Sequence, residues 1–415
     1  MERKVIQVEE RPPLLLNIPL SIQHLFAMFG STVLVPFLFG VNPTTCLFMN
    51  GIGTLLYIFL TKGKIPSYLG SSFAFISPVL LILSTSGYAD AQSGFIVFGL
   101  LFMLFSIIIH YVGTSWIDII FPPAAMGAII AVIGLELAPV AANMAGLTGD
   151  NIQPVNIAVS MFTLAVGIIG SVAFRGFMSI IPILFGVICG YVFAAFMGMV
   201  NFQPIIDAPW LQLPHFYAPH FNLNAIMIIA PAALVVLAEH IGHLVVTGNI
   251  VERNLIKDPG LSRSLFADGL SNVVSGFAGA TPNTTYGENI GVMAITKVYS
   301  VWVIGGAAVM AILLSFIGKL SELIHSIPVP VMGGICILLF GVIAASGIRV
   351  LVEQKVDYSK SSNLIMTSVV MIIGLSGAKI SFGAFSVQGM VLATVVAIIM
   401  SLLFRVFEKM GLLNE

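Results

Sequence analysis

The residues best suited to chemistry lie in the apolar segment 231–244, which contains the sequence AEHIGH. Glu239 and His243 are four residues apart, so on a helix they share one face and their side chains can touch. His240 points about 100° away from that face. A carboxylate that contacts an imidazole inside a membrane forms a proton-exchanging pair. The alternatives are a structural hydrogen bond between two helices and a metal site, and no third ligand follows at helical spacing to support a metal.

A second polar segment, 279–291, interrupts an apolar stretch with Pro282, Gly287 and a run of Thr and Asn residues. Irregular backbone at membrane depth is tolerated only where it is buried in protein or lines a cavity. A broken crossing also exposes N–H groups at the start of a half-helix, and these can donate hydrogen bonds to a ligand oxygen. Glu288 lies beside those donors. This combination of acceptors and donors suits a planar ligand with alternating N–H and C=O groups, and the alternative is a structural kink.

The first half of the chain contains a similar short segment, 67–78, which is rich in small residues and ends at Pro78. Ser71, Ser72 and the residues up to Phe75 could run extended before a half-helix begins. Two broken crossings at corresponding positions of two halves are the best sequence indication of a transporter site. Phe73 taken alone would more often be a packing residue.

Four further polar residues occur in apolar segments. For Gln23 and His24, hydrogen bonding between helices and a role in the site are equally open. Glu136 and Asp268 lie nearer the predicted helix ends, where we expect a snorkelling or capping role.

The composition determines which elements position these residues. Of the 415 residues, 58% are hydrophobic and 8% are charged, against roughly 25% charged in a soluble domain. This excludes a water-soluble globular fold, a disordered chain and a disulfide scaffold. The net charge of −1 provides no basic field for nucleic acid. The three cysteines are predicted to be reduced, with no metal site. The chain is therefore predicted to be a polytopic membrane protein.

A spanning helix needs about 20 apolar residues, so the chain has room for roughly 14 crossings. The third and tenth candidates, 72–84 and 284–296, are too short for a full crossing. Long connections are predicted at 139–154, 201–222 and 249–264. With both termini in the cytoplasm, 15 of the 17 Lys and Arg residues lie inside, as the positive-inside rule requires. The two exceptions are Lys319 and Lys379.

A weak internal repeat supports this topology. The sequence PPAAMG at 122–127 recurs as PVPVMG at 328–333, and each copy opens an apolar segment. These are the fifth and twelfth predicted crossings. An odd number of crossings separates them, so the two halves have opposite orientations, which is a common plan among transporters.

The sequence ENIGVMAITK at 288–297 resembles the signature of the nucleobase–ascorbate transporter (nucleobase:cation symporter) family. That signature reads Gln/Glu/Pro-Asn-x-Gly, four residues, Thr, then Arg/Lys/Gly. Gln23 and His24 resemble the Q-H pair of the family's first span. The AEHIGH motif, together with Glu288 before Asn289, resembles the bacterial uracil:proton symporter branch. The likeness extends from Arg11 to about Arg405.

This resemblance implies an all-α polytopic fold with 14 transmembrane segments in two inverted seven-span repeats. Short antiparallel strands are expected in the broken spans 3 and 10. Spans 1–4 and 8–11 form a core domain, and spans 5–7 and 12–14 form a gate domain. The implied boundaries are a cytoplasmic tail 1–14, core 15–110, gate 111–222, core 223–318, gate 319–405 and a cytoplasmic tail 406–415.

Carried over residue by residue, the resemblance implies that Glu239 and Glu288 bind the N–H groups of a uracil ring. The backbone N–H groups of Phe73 and Gly287 meet its carbonyls. The other implied roles are proton exchange or a bridging water for His243, a pocket wall for Tyr286, and supporting positions for Gln23, His24, Ser71, Ser72 and Asn289. At Phe340 the uracil carriers have Tyr, so a polar contact from span 12 is in doubt.

The resemblance thus implies a uracil:proton symporter of the bacterial inner membrane, without a cofactor, that forms a homodimer through its gate domains. Glu239, His243 and Glu288 would couple the proton, because burial favours a neutral carboxyl group and uracil carries no charge. A xanthine or uric acid permease is the nearest alternative, although purine carriers typically have Gln at the position of Glu288. An anion exchanger would need a fixed cation near the broken spans, a channel would need a continuous polar path, and an intramembrane hydrolase would need a motif that is absent here.

Overall fold

The computed structural model describes residues 5–149, 152–382 and 385–413. Within these ranges the protein is mainly helical, as predicted, with nineteen α-helices and four short strands. In chain order, the first elements are α1 (Leu14–Phe39), α2 (Pro43–Leu60), β1 (Leu69–Ser71), α3 (Ile76–Leu83) and α4 (Tyr88–Val112). Strand β1 and helix α3 form the first broken segment. The helices that follow are α5 (Ile117–Ile120), α6 (Pro123–Glu136), α7 (Ala138–Met144), α8 (Pro154–Ala173), α9 (Pro182–Phe196) and α10 (Gln203–Asp207).

The second half begins with α11 (Leu223–Ile229), α12 (Ala232–Ile250), α13 (Leu261–Ala278), β2 (Asn283–Thr285), α14 (Gly287–Thr296) and α15 (Val301–Ser315). It ends with α16 (Gly318–His325), α17 (Val329–Glu353), α18 (Ser361–Leu375), β3 (Lys379–Phe382), β4 (Phe385–Gln388) and α19 (Gly389–Met410). Two predicted connections contain helices that the sequence patterns did not indicate. The segment 139–154 begins as α7, and the segment 201–222 contains α10.

Eight helical stretches in the described part of the chain are long and apolar enough to cross a membrane. Two of them are composite, since α6 continues into α7 and α11 continues into α12. Four shorter apolar helical stretches accompany them, at Phe73–Leu83, Pro182–Phe196, Val301–Ser315 and Ser361–Leu375. The first of these belongs to a broken crossing.

The repeated PPAAMG and PVPVMG motifs start helices in the same way. Pro122 precedes α6 with φ −60° and ψ 154°, and Pro328 precedes α17 with φ −63° and ψ 142°. In both helices a further proline occupies one of the first two positions, where its missing N–H leaves no intrahelical bond unmade. The two motifs therefore have equivalent positions in the fold, and α6 and α17 pack against each other.

Strands β1 and β2 form an antiparallel pair deep inside the helical bundle. Leu69 pairs with Thr285, Gly70 with Thr284 and Ser71 with Asn283, and all six residues are buried. Backbone bonds from Tyr286 N to Tyr68 O (3.0 Å) and from Ser72 N to Pro282 O (2.9 Å) extend the ladder at both ends. The pairing satisfies backbone groups that lipid could not. Each strand leads into a half-helix, β1 through a 3₁₀ turn at Phe73–Phe75 into α3, and β2 into α14.

Candidate functional site

Two carboxylates lie beside the start of the half-helix α14. Glu288 is in its first turn, and Glu239 is in the middle of α12, which packs against α14. Both side chains are half-buried. Glu239 Oε2 is inaccessible to solvent and has no hydrogen-bond partner among the described residues. A buried carboxylate oxygen without a donor is costly, so this atom is available to a ligand or a proton.

The start of α14 supplies hydrogen-bond donors next to these acceptors. Tyr286 precedes the helix and makes no side-chain cap, and the first N–H groups of a helix have no intrahelical partner. The site therefore combines backbone donors at Gly287 with carboxylate acceptors at Glu239 and Glu288. These are the groups that a planar ligand with both N–H and C=O edges requires.

His243 holds α12 against the broken segment. Its Nδ1 lies 3.1 Å from the hydroxyl oxygen of Thr285 in β2. Its Nε2 faces the backbone of Gly287, where an added Cβ would lie 3.3 Å away. The structure gives no hydrogen bond between His243 and Glu239 among the described residues. From the shared helix face, the predicted partner of His243 was Glu239. The observed partner is Thr285, which belongs to a different element.

Two phenyl rings pack across the first broken segment. Phe73, in the 3₁₀ turn, and Phe340, on α17, have ring centroids 5.9 Å apart and ring planes at 84°. Both are buried, with 6% and 2% of their surface exposed. This edge-to-face arrangement is a favourable geometry for aromatic pairs. Phe340 therefore contributes a packing contact next to the site.

Tyr286 is fixed against β1. Its hydroxyl donates to the carbonyl oxygen of Ser71 at 3.1 Å, and its ring lies where a Cβ on Gly70 would be, 2.2 Å from that position. The Ser71 hydroxyl lies 2.7 Å from that of Thr281, which precedes β2. The Ser72 hydroxyl accepts a hydrogen bond from Ala74 N at 3.4 Å, at the entrance to the 3₁₀ turn. The first two of these bonds connect the two broken segments to each other.

The Q-H pair of α1 makes a helix-to-helix contact. The Asn289 amide nitrogen lies 3.1 Å from His24 Nδ1 and donates to the carbonyl oxygen of His24 at 3.1 Å. Both residues are buried, whereas Gln23 is half-buried. Of the two roles left open for His24, the structure favours hydrogen bonding between helices.

A buried polar network behind the site was not predicted. Asp268 on α13 was expected to snorkel or cap a helix, and that prediction is wrong because the residue is fully buried in the bundle. Asp268 Oδ2 lies 2.8 Å from His240 Nδ1, at ion-pair distance but not aligned as a hydrogen bond. His240 Nε2 lies 2.7 Å from the Ser264 hydroxyl, which lies 2.6 Å from that of Tyr57.

This network continues into β2. The Asn272 amide donates to Asp268 Oδ1 at 3.0 Å and to the carbonyl oxygen of Asn283 at 2.8 Å. Its own oxygen accepts from Asn283 N at 2.7 Å. Asp268 and His240 therefore support the strand from which α14 begins, and no spacing between them in sequence would have indicated that contact.

Glu136 at the end of α6 caps a helix, as predicted, but the helix is not its own. One carboxylate oxygen accepts from Met390 N at 2.8 Å, in the first turn of α19. The other accepts from the Ser77 hydroxyl at 2.9 Å, on α3.

These features define a class of protein. Two broken crossings that meet at buried polar residues, within a bundle of membrane-spanning helices, are the arrangement of secondary transporters. A family model described as "Permease family" matches residues 16–383. The chain belongs to this family, the nucleobase–ascorbate transporter family that the ENIGVMAITK motif resembles. It is a multi-pass membrane permease and not an enzyme.

Two relatives agree with this assignment, and one solved structure shares the fold. The chain is 64% identical to the uracil permease of Escherichia coli (strain K12) over 411 residues, covering 98% of this chain and 96% of that one. It is 62% identical to the uracil permease of Paenibacillus larvae over 421 residues, covering 100% of both. The transmembrane domain of a cyanobacterial bicarbonate transporter, BicA, matches with a TM-score of 0.60 at 14% identity, covering 96% of this chain and 100% of that one. That last likeness shows the fold alone.

Proposed function

We propose that the chain imports uracil together with a proton across the inner membrane of a bacterium. The observation that carries the proposal is the pairing of acceptors and donors at the start of α14. Glu239 and Glu288 accept the ring N–H groups, and the N–H groups of Gly287 and Phe73 donate to the ring carbonyls. The names of the relatives that are 62% and 64% identical support uracil as the substrate.

The proton role follows from the same carboxylates. Glu239 has a buried oxygen without a donor, and uracil brings no counter-charge for it. Carrying an ionised carboxylate through the membrane is costly, so the loaded site crosses with a proton bound. His243 on α12 faces the start of α14 and exchanges that proton with Glu239 directly or through a water molecule.

The helices group into two bodies that support the predicted domains. Helices α1, α2 and α4 pack mainly with α13 and α15, α3 packs with α1, α4 and α11, and α6–α9 pack with one another and with α17–α19. We assign the first group, residues 15–110 and 223–318, to the core domain that holds the carboxylates. The second group, residues 111–222 and 319–405, forms the gate. The eight long helical stretches, the three shorter ones outside the broken segments, the two broken segments and α13 give 14 crossings, with both termini in the cytoplasm. The homodimer through the gate is carried over from the family.

Alternating access then moves the core against the gate. A cavity of about 180 Å³ is lined by Ile241 and Gly242 of the core and by Phe121, Met126 and Val350 of the gate. It lies on the side where most Lys and Arg residues occur, which by the positive-inside rule is the cytoplasm. Within the proposed cycle, this cavity supports a state in which the inner side is open.

The two alternatives have weaker support. A purine permease on the same scaffold would lack the second carboxylate that Glu288 supplies. An anion exchanger would need a cation at the site, and among the described residues that hydrogen-bond around β1, β2 and the start of α14 none is Lys or Arg.

The test is uptake of labelled uracil into proteoliposomes that contain only this protein, with and without an inward proton gradient. We expect gradient-dependent accumulation that unlabelled uracil blocks and xanthine does not. Glu239→Gln should abolish accumulation, while Glu252→Gln, which changes an exposed loop carboxylate, should not. Accumulation of xanthine instead of uracil would refute the substrate, and full accumulation by Glu239→Gln would refute the proton role.

A further inference from the structure

Glu136 joins three helices at one carboxylate. It ends α6, and its two oxygens accept from Met390 N in α19 and from the Ser77 hydroxyl in α3. In the proposed domain division, α6 and α19 belong to the gate and α3 belongs to the core. The hydrogen bond from Met390 N is therefore internal to the gate, and the hydrogen bond from Ser77 connects the gate to the core.

Within the gate, α19 begins directly beside the Glu136 carboxylate. Gly389 has φ +53°, and a Cβ there would lie 2.0 Å from Glu136 Oε1. A side chain at that position would be strained and would exclude the carboxylate. Gln388 makes no side-chain cap on α19, and a negative group is favourable at a helix N-terminus. Glu136 therefore stays with α19 whatever the core does.

On the core side, the Ser77 hydroxyl donates a hydrogen bond to Glu136. Ser77 is half-buried in the second position of α3, the half-helix that follows β1 and Phe73. Any movement of the core along the gate carries Ser77 with the substrate site and away from Glu136. This bond can exist only in those states in which α3 lies against the end of α6.

The opposite end of α6 shows the complementary arrangement. The cavity of about 180 Å³ lies beside Met126 near the helix start, about 15 Å along the axis from Glu136 at 1.5 Å per residue. The same gate helix therefore accepts a hydrogen bond from the core at one end, and at the other end it lines a cavity together with α12.

We propose that Ser77, Glu136 and Met390 form a state-selecting bridge, which we call the Glu136 bridge. It holds the outer side of core and gate together while the inner side is open, and the Ser77 bond breaks when the outer side opens. The proposal rests on the two-body division of the proposed function. Glu136 acts here as a positioning residue that sets the balance between the two states.

The test measures that balance with no substrate present. Two cysteine reporters, each introduced singly, read the two sides: Met126→Cys in the inner cavity and Leu80→Cys on α3, one turn beyond Ser77 on the same face. Ser77→Ala should slow alkylation at position 126 and speed it at position 80, changing the ratio of the two rates about tenfold, because a hydrogen bond to a charged acceptor is lost. Ser77→Thr keeps the hydroxyl and should restore the ratio.

Two controls keep the outcome interpretable. Ser84→Ala removes a hydroxyl at the end of α3 whose only hydrogen-bond partner among the described residues is Leu81 O in the same helix, and it should leave the ratio unchanged. Glu136→Gln retains an acceptor for Met390 N but replaces the charged acceptor of the Ser77 hydroxyl with a neutral amide, so it should shift the ratio in the same direction as Ser77→Ala by a smaller factor, even if Glu136→Ala fails to fold. An unchanged ratio in Ser77→Ala and Glu136→Gln would overturn the bridge. Uptake by the parent protein is scored separately, so a responsive ratio in a protein whose unsubstituted form does not transport uracil would refute the proposed function and leave the bridge standing.

Discussion

The close approach of Tyr286 to β1 gives the sharpest prediction, for the substitution Gly70→Ala. A Cβ on Gly70 would lie 2.2 Å from Tyr286 Cε2 and 2.3 Å from Cζ, whereas carbon atoms pack best about 3.5–4.0 Å apart. The ring must therefore move by about 1.3 Å or more. It is 3% exposed and packs among Leu25, Met28 and Leu47, so little free space surrounds it.

The expected cost has two parts. Overpacking of a well-packed interior costs about 1–3 kcal/mol, and loss of the hydrogen bond from Tyr286 to Ser71 adds about 1 kcal/mol. We therefore expect Gly70→Ala to lower the free energy of unfolding by roughly 2–4 kcal/mol. Because Tyr286 directly precedes Gly287, the displaced ring also shifts the start of α14, and uracil affinity should fall at least tenfold.

The assays are thermal melting and uracil calorimetry on the purified protein. Gly341→Ala is the matched control, since nothing lies within 4 Å of its added Cβ and Ala favours helix over Gly by about 1 kcal/mol. Tyr286→Leu removes the clash, so Gly70→Ala should cost less in that background than in the wild type. If Gly70→Ala matches Gly341→Ala in both melting temperature and uracil affinity, the reasoning is wrong.

Two further predictions concern charged groups. Asp268→Ala removes one member of the buried pair with His240 and should destabilise the protein by about 3–5 kcal/mol, measured by thermal melting; an unchanged melting temperature would contradict the role of this network. On the surface, the hydrogen bond from Arg253 lowers the pKa of Glu9, with Arg253 Nη2 2.8 Å from Glu9 Oε2. A carboxylate with a lowered pKa stabilises the fold above its unfolded pKa and loses that effect as the pH falls through the folded value. Glu9→Gln should therefore cost at most about 1 kcal/mol at neutral pH, and the difference should disappear on acidification below about pH 4; a difference that grows on acidification would refute it.

The sequence was most informative where polar residues lie in a segment at membrane depth and cannot face lipid. Pro282, the Thr and Asn residues after it and Glu288 cannot face a bilayer in a regular helix, so the break near 283–287 was predictable from solvation alone. The matching break after Ser67 was predictable for the same reason. Glu239 and Glu288 were identified because ionisable residues at membrane depth are rare.

Contacts between distant elements were not predictable. His240 and Asp268 are 28 residues apart on different helices, so neither helical nor strand periodicity relates them. Thr285 became the partner of His243 only because β2 passes α12. Glu136 was expected to cap a helix, but which helix depends on the packing of α6 against α19, and a single sequence does not contain that information.

The β1–β2 pair also has a consequence for how the protein is made. Ser71 emerges from the ribosome 212 residues before Asn283, its partner in the ladder. At about 5–20 residues per second, β1 waits roughly 10–40 s for its partner. During that interval its polar backbone edge is already inside or beside the membrane. The Thr54 hydroxyl of α2, which accepts a hydrogen bond from Leu69 N at 2.9 Å, is an earlier partner and can hold one end of the strand. The transport site is thus completed only when the second repeat is inserted, and a ribosome that stalls between the two repeats leaves an unpaired strand edge for membrane quality control to recognise.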